Sequence, residues 1–139
     1  MTFLDMDDVI VERAGKSIPR IFAEDGEPHF RETERALVRE LAARDGLVIG
    51  TGGGIVLNPD NIPDFSGSGL VVCLSATPET ILERVADDTN RPLLEGDDKM
   101  ARITGILEAR RDLYAAIENQ VDTTGLTVDE VVARILDLH

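Results

Sequence analysis

Two short apolar runs constrain the fold of this chain more than any other feature. Leu47–Gly50 and Leu70–Leu74 are bounded by glycine, and each leads into a polar loop and then a helix-period pattern. Continuous apolar runs of this length suit strands covered on both faces, and strands alternating with helices build an α/β domain with a parallel sheet flanked by helices. Phe3–Asp5 adds the end of a strand that delivers Asp5 and Asp7 to its carboxyl tip, and Gln120–Asp122 adds a brief fourth one. Between them, helices are expected over Asp8–Ala14, closed by Gly15, and then after Ser17, with Pro19 in the first turn and Ile18, Ile21 and Phe22 inward. A longer helix begins at Pro28, repeats Phe30, Leu37, Val38 and Leu41 at three and four residues, and stops at Asp45-Gly46. Thr77–Ala86 follows the second run, with Thr77 as cap and Pro78 in first position. Lys99–Glu118 and Thr127–Leu138 complete the set, the last with Val128, Val131, Val132, Ile135 and Leu136 inward. Residues 87–98 are polar and interrupted by Pro92, which gives them the character of a mobile loop. With no repeat and no linker, residues 1–139 read as one domain.

A net charge of −13 repels nucleic-acid phosphates and anionic lipid head groups, so neither nucleic acid nor membrane is an expected partner. The same charge requires an anionic substrate to be captured by a few clustered arginines. Cys73 is the single cysteine and falls inside an apolar run, which suits a small strand hydrophobe in a reducing cytoplasm. Asp5, Asp7 and Asp8 stand where a secretory leader would be basic, and no apolar stretch approaches the ~20 residues of a membrane span.

Several side chains suit chemistry. Asp5 and Asp7 lie two apart at a strand end, the edge where open parallel sheets bind ligands; two solvated acids capping the next helix would give the same pattern. Arg31 lies on the first turns of a helix with Glu34 one turn on, either a ligand grip or a surface ion pair. Gly52-Gly53-Gly54 after a strand admits close approach of backbone to a ligand, although a plain flexible turn is the equal alternative. Arg91, in the polar loop, is placed as a lid arginine would be, and Arg110 precedes Tyr114 by one helical turn. Ala14-Gly15-Lys16-Ser17 imitates the end of a phosphate loop, but the first glycine would have to be at Ile10 and the approach is helical, so Lys16 reads as solvent-exposed. His29 and His139 read as surface residues, and no His/Cys/Asp spacing suggests a structural metal site.

Taken together, F-L-D-M-D-D-V-I from Phe3, A-G-K-S-I-P-R-I-F from Ala14, D-G-E-P-H-F-R from Asp25, T-G-G-G from Thr51, N-R-P-L-L from Asn90 and R-R-D-L-Y from Arg110 give a chain that resembles the shikimate kinase family over nearly its whole length. The resemblance implies a P-loop-kinase-like sheet of nucleoside-monophosphate-kinase type, and transfer of the terminal phosphate of ATP, with Mg2+, to the 3-hydroxyl of shikimate in aromatic amino acid synthesis. It further implies that Asp7 holds the attacking hydroxyl, that Asp5 assists the metal through water, and that Arg31 and Arg110 bind the shikimate carboxylate. Glu34 would orient a hydroxyl or Arg31. Gly53 and Gly54 would offer amides to the carboxylate and the terminal phosphate, Arg84 would stack on adenine, and Arg91 would close over ATP. Arg111 replaces Arg110 only if the register shifts by one.

The family's G-x-x-x-x-G-K-[ST] loop, with its strand and helix, belongs ahead of Phe3. The strand runs through the centre of the family's sheet, between the strands at Leu47 and Leu70, so two strand edges are expected to stand unpaired. A fragment of a longer chain, a gap filled by a partner chain or by collapse of the two edges, and a non-catalytic shikimate-binding module are the three explanations. The first agrees best with intact substrate-side positions, and a monomer is expected for the complete fold.

Overall fold

The structure, a computed structural model, describes residues 1–85 and 99–138. It divides into two compact units, one over Met1–Gly69 and the other over the described residues from Leu70 onward.

In the first unit, β1 (Thr2–Asp5) pairs in parallel with β2 (Leu47–Gly50), setting Phe3 opposite Val48 and Asp5 opposite Gly50. Parallel neighbours need a crossover, here made by α1 (Met6–Ala14), α2 (Ile18–Asp25) and α3 (Glu27–Ala42). The start of α1 lies two residues earlier than the sequence pattern suggests. Asp5 is its N-cap, its Oδ1 accepting from the amides of Asp7 at 2.8 Å and Asp8 at 3.3 Å. Asp7 therefore sits in the first turn of a helix, and the argument from strand alternation does not apply to it. Gly15 closes α1 at φ 71°, and Ser17 Oγ accepts from the Arg20 amide at 3.4 Å to open α2. Met6, Ile10, Ile18, Ile21, Phe30, Leu37, Val38 and Leu41 are buried, as the three- and four-residue spacing requires. Ile55 and Val56 join them from a 3-10 turn, Gly53–Leu57, which leads to α4 (Asn61–Ser68). Lys16 is mostly covered rather than exposed, because its amine bonds Asp25 at 2.6 Å and holds that carboxyl below its ordinary range.

In the second unit, β3 (Val72–Ser75) pairs in parallel with β4 (Asn119–Asp122), with Cys73 opposite Gln120. α5 (Pro78–Val85), α6 (Lys99–Ala115) and α7 (Val128–Leu138) accompany them. Thr77 caps α5, its Oγ1 accepting from the Thr80 amide at 3.3 Å. Cys73 is half-buried, and burial pushes its thiol up. The inward placement of Val128, Val132 and Leu136 is overturned: they are 79%, 46% and 67% exposed. Periodicity reveals an apolar stripe but not what covers it, and α7 has no buried residue.

The strands thus form two two-stranded sheets, β1-β2 and β3-β4. Among the described residues, no helix is long and apolar enough to cross a membrane.

Candidate substrate site

The first unit gathers its polar groups at the carboxyl ends of β1 and β2. Gly26, at φ 86°, turns the chain from α2 into α3 and so places Arg31 in the second turn of that helix. Arg31 Nε donates to Glu27 Oε2 at 3.2 Å, and Nη1 donates to Glu34 Oε1 at 3.3 Å. Its guanidinium carbon lies 5.2 Å from the centroid of the Phe30 ring. Glu34 is only 3% exposed, so the surface-pair alternative fails. A carboxylate taken that far from water needs a paired cation, and Arg31 supplies it.

The glycine-rich turn meets this cation directly. A Cβ placed on Gly54 would stand 2.6 Å from Arg31 Nη2 and 2.7 Å from Cζ, so the guanidinium lies against bare backbone. Gly54 is buried and Gly53, at the start of the 3-10 turn, is exposed. The Asp7 carboxylate lies by the same turn, 3.6 and 3.7 Å from where a Cβ on Gly52 would stand. Asp7, Gly52, Gly53, Gly54, Arg31 and Glu34 are thereby brought together by three short segments. An arginine braced by two carboxylates, a glycine-lined turn and a separate aspartate suit a small molecule with one carboxylate and hydroxyl groups.

Asp5 is a helix cap, which commits its Oδ1 to two amides. Its Oδ2 remains on the side of Gly50, 4.0 Å from where a Cβ would stand there. One carboxylate oxygen near a substrate site fits Mg2+, which keeps several waters and takes few protein ligands. Among the described residues, no group of three or more His, Cys, Asp or Glu could hold a metal ion by itself.

In the second unit, Arg84 donates from Nη1 to Thr123 Oγ1 at 2.7 Å and from Nη2 to the Thr123 carbonyl at 2.9 Å. Thr123 is buried and its hydroxyl donates to the Ser75 carbonyl at 2.8 Å, so the Arg84 guanidinium is held at two points. Arg110 is half-buried on α6, with Nη1 donating to Tyr114 Oη at 3.4 Å. Arg111 beside it is exposed and pairs with Glu108 at 3.2 Å. Arg91, the loop 87–98 and His139 lie outside the described residues; His29 is exposed.

Sequence reasoning missed Arg35, Asn61 and Asp64, which brace the glycine turn from α3 and α4. The only local signal was that Arg35 follows Arg31 by one helical turn.

Comparison with known proteins identifies the family. The family described as shikimate kinase matches residues 1–139. A shikimate kinase of Pelotomaculum thermopropionicum is 42% identical over 134 residues, which span 96% of this chain and 78% of that one. Another, of Desulforudis audaxviator, is 45% identical over 135 residues, 97% of this chain and 71% of its own. The solved shikimate kinase from Acinetobacter baumannii, in complex with shikimate, superposes with a TM-score of 0.93 at 33% identity, covering 99% of this chain and 77% of that one.

Proposed function

The chain belongs to the shikimate kinase family, and on that premise we propose that it binds shikimate on the glycine-lined patch of its first unit and directs the 3-hydroxyl toward the terminal phosphate of ATP. The observation that carries the reading is Arg31, braced by Glu27 and the buried Glu34 and seated on Gly54. In this reading Arg31 takes the substrate carboxylate through its planar edge, while Glu34 holds the guanidinium in place. The amides of Gly53 and Gly54 turn toward the ligand in this reading, and Arg110, on α6 of the second unit, carries the further carboxylate-binding role that the family resemblance implies.

Asp7 holds the 3-hydroxyl by accepting its proton in a hydrogen bond. Phosphoryl transfer passes through a loose transition state, so orientation of the hydroxyl matters more than a strong base, and an ordinary carboxylate suffices. Mg-ATP would supply the phosphoryl group; the family resemblance implies that Asp5 would assist the metal and that Arg84 would hold the adenine. Arg91 is assigned the neutralisation of charge on the phosphoryl group, as the family resemblance implies. A reducing cytoplasm suits the single half-buried thiol.

Isothermal titration of the chain with shikimate tests the site. Arg31→Ala should weaken binding roughly ten- to a hundredfold, because a charge-assisted contact contributes ~1.5–3 kcal/mol. Binding unchanged by that substitution would refute the assignment. An ADP-release assay with shikimate and Mg-ATP separates a kinase from a non-catalytic binding module.

A further inference from the structure

We propose that Asn61 is a positioning residue for the substrate seat, acting with Arg35 and Asp64 to hold Gly54 against Arg31; the inference rests on the reading of that seat given above. Asn61 is 1% exposed, although it opens α4, where an asparagine side chain ordinarily turns to solvent or to the helix amides. Instead its Nδ2 donates 2.9 Å to the carbonyl of Ile55, one residue beyond Gly54. Its Oδ1 accepts from Arg35 Nη1 at 3.1 Å, and Arg35 Nη2 bonds Asp64 Oδ2 at 2.7 Å. A guanidinium can only donate, so Arg35 dictates which end of the amide is oxygen and therefore which end faces Ile55.

The consequence lies in the spacing along α3. Arg31 and Arg35 are one helical turn apart on the same face, and each grips a different part of the same turn. Arg31 lies against Gly54 directly, whereas Arg35 reaches Ile55 through Asn61. The segment Gly54-Ile55 is thus tied to α3 at two points. A bracket of this kind sets the distance between the glycine amides and the guanidinium, where a shift of ~1 Å is enough to spoil a ligand's alignment. The hydrogen bonds of Asn61 go to Ile55 and Arg35, so it acts through the turn.

The test is a double-mutant cycle on the full chain, read by isothermal titration with shikimate and checked for folding by circular dichroism. Asn61→Ala should bind about tenfold more weakly than the parent, the scale set by leaving a buried carbonyl and a guanidinium arm unpaired. Combined with Arg31→Ala it should add little, since both changes disrupt one contact. A purely structural role would leave the two losses additive, and additivity, or an Asn61→Ala variant that binds like the parent, overturns the inference. Should Asn61→Ala fail to fold, Arg35→Met, which keeps the aliphatic stem and removes both bonds, takes its place in the same cycle. A parent chain that gives no heat with shikimate overturns the functional reading instead, and the inference falls with it.

Discussion

Gly54 shows how a single residue can matter for ligand binding and little for stability. A methyl group there collides with the guanidinium of Arg31, the far end of a flexible side chain that can swing away. Gly54→Ala should therefore leave the thermal midpoint within a few degrees of the parent while weakening shikimate about tenfold, because Arg31 loses its seat beside Glu34. Gly67→Ala, on α4, is the control: its Cβ would meet nothing within 4 Å, and both stability and affinity should hold. Differential scanning calorimetry and titration of the pair check this, and a Gly54→Ala variant with parental affinity would contradict it. The sequence left close approach of backbone to a partner and a plain flexible turn as equal alternatives at Gly52-Gly53-Gly54. It could not announce that the partner is Arg31, nor that Glu34 is buried. Those facts depend on how α3 crosses the turn, which no local spacing encodes.

At the level of elements, ends were less legible than middles. The core face of α3 followed from its periodicity, but α1 begins at Met6 because Asp5 caps it, a choice the pattern of three acids left open. α7 carries the sharpest case, an amphipathic helix whose stripe is exposed. With so little packing, its N-terminal capping box has greater weight. The Thr127 amide donates to Glu130 Oε1 at 3.1 Å, and the Glu130 amide donates to Thr127 Oγ1 at 3.2 Å. The Thr127 amide is the main cause that holds the Glu130 carboxyl below its ordinary range. A carboxyl lowered on folding stabilises above its unfolded value and loses that contribution as pH falls through its folded value. Protection of the amides of Val131 to Ala133, taken relative to the intrinsic exchange rate at each pH, should thus fall on acidification below about pH 4, the ordinary glutamate range. Glu130→Gln keeps an acceptor at this position but cannot titrate, so it should remove that part of the acid response. An identical acid limb in both chains would show that the capping box does not govern α7.

For the molecule as a whole, the decisive quantity is how unevenly the core is shared. The first unit buries Met6, Ile10, Ile18, Ile21, Phe30, Leu37, Val38, Leu41, Ile55 and Val56, whereas the described residues of the second bury only Ile103, Ile117 and Val121 among their hydrophobic side chains. Each such side chain contributes roughly 1.5–3 kcal/mol when withdrawn from water, so the difference exceeds any that hydrogen bonds of the two small sheets could offset. Both sheets have two strands, an arrangement that is marginal without packing against helices. The first sheet has α1 and α3 with a full apolar face. The second has α6, which buries one residue over its length, and α7, which buries none. Stability should therefore be graded along the chain, with local openings in the second unit lying well below global unfolding. Hydrogen exchange followed by mass spectrometry should find the amides of Leu37 to Leu41 the last to exchange. Those of β3, β4 and α7 should exchange earlier through openings that leave α3 closed. Equal protection of β4 and α3 would mean that the second unit draws stability from burial that its own described residues do not supply, and the graded account would have to be abandoned.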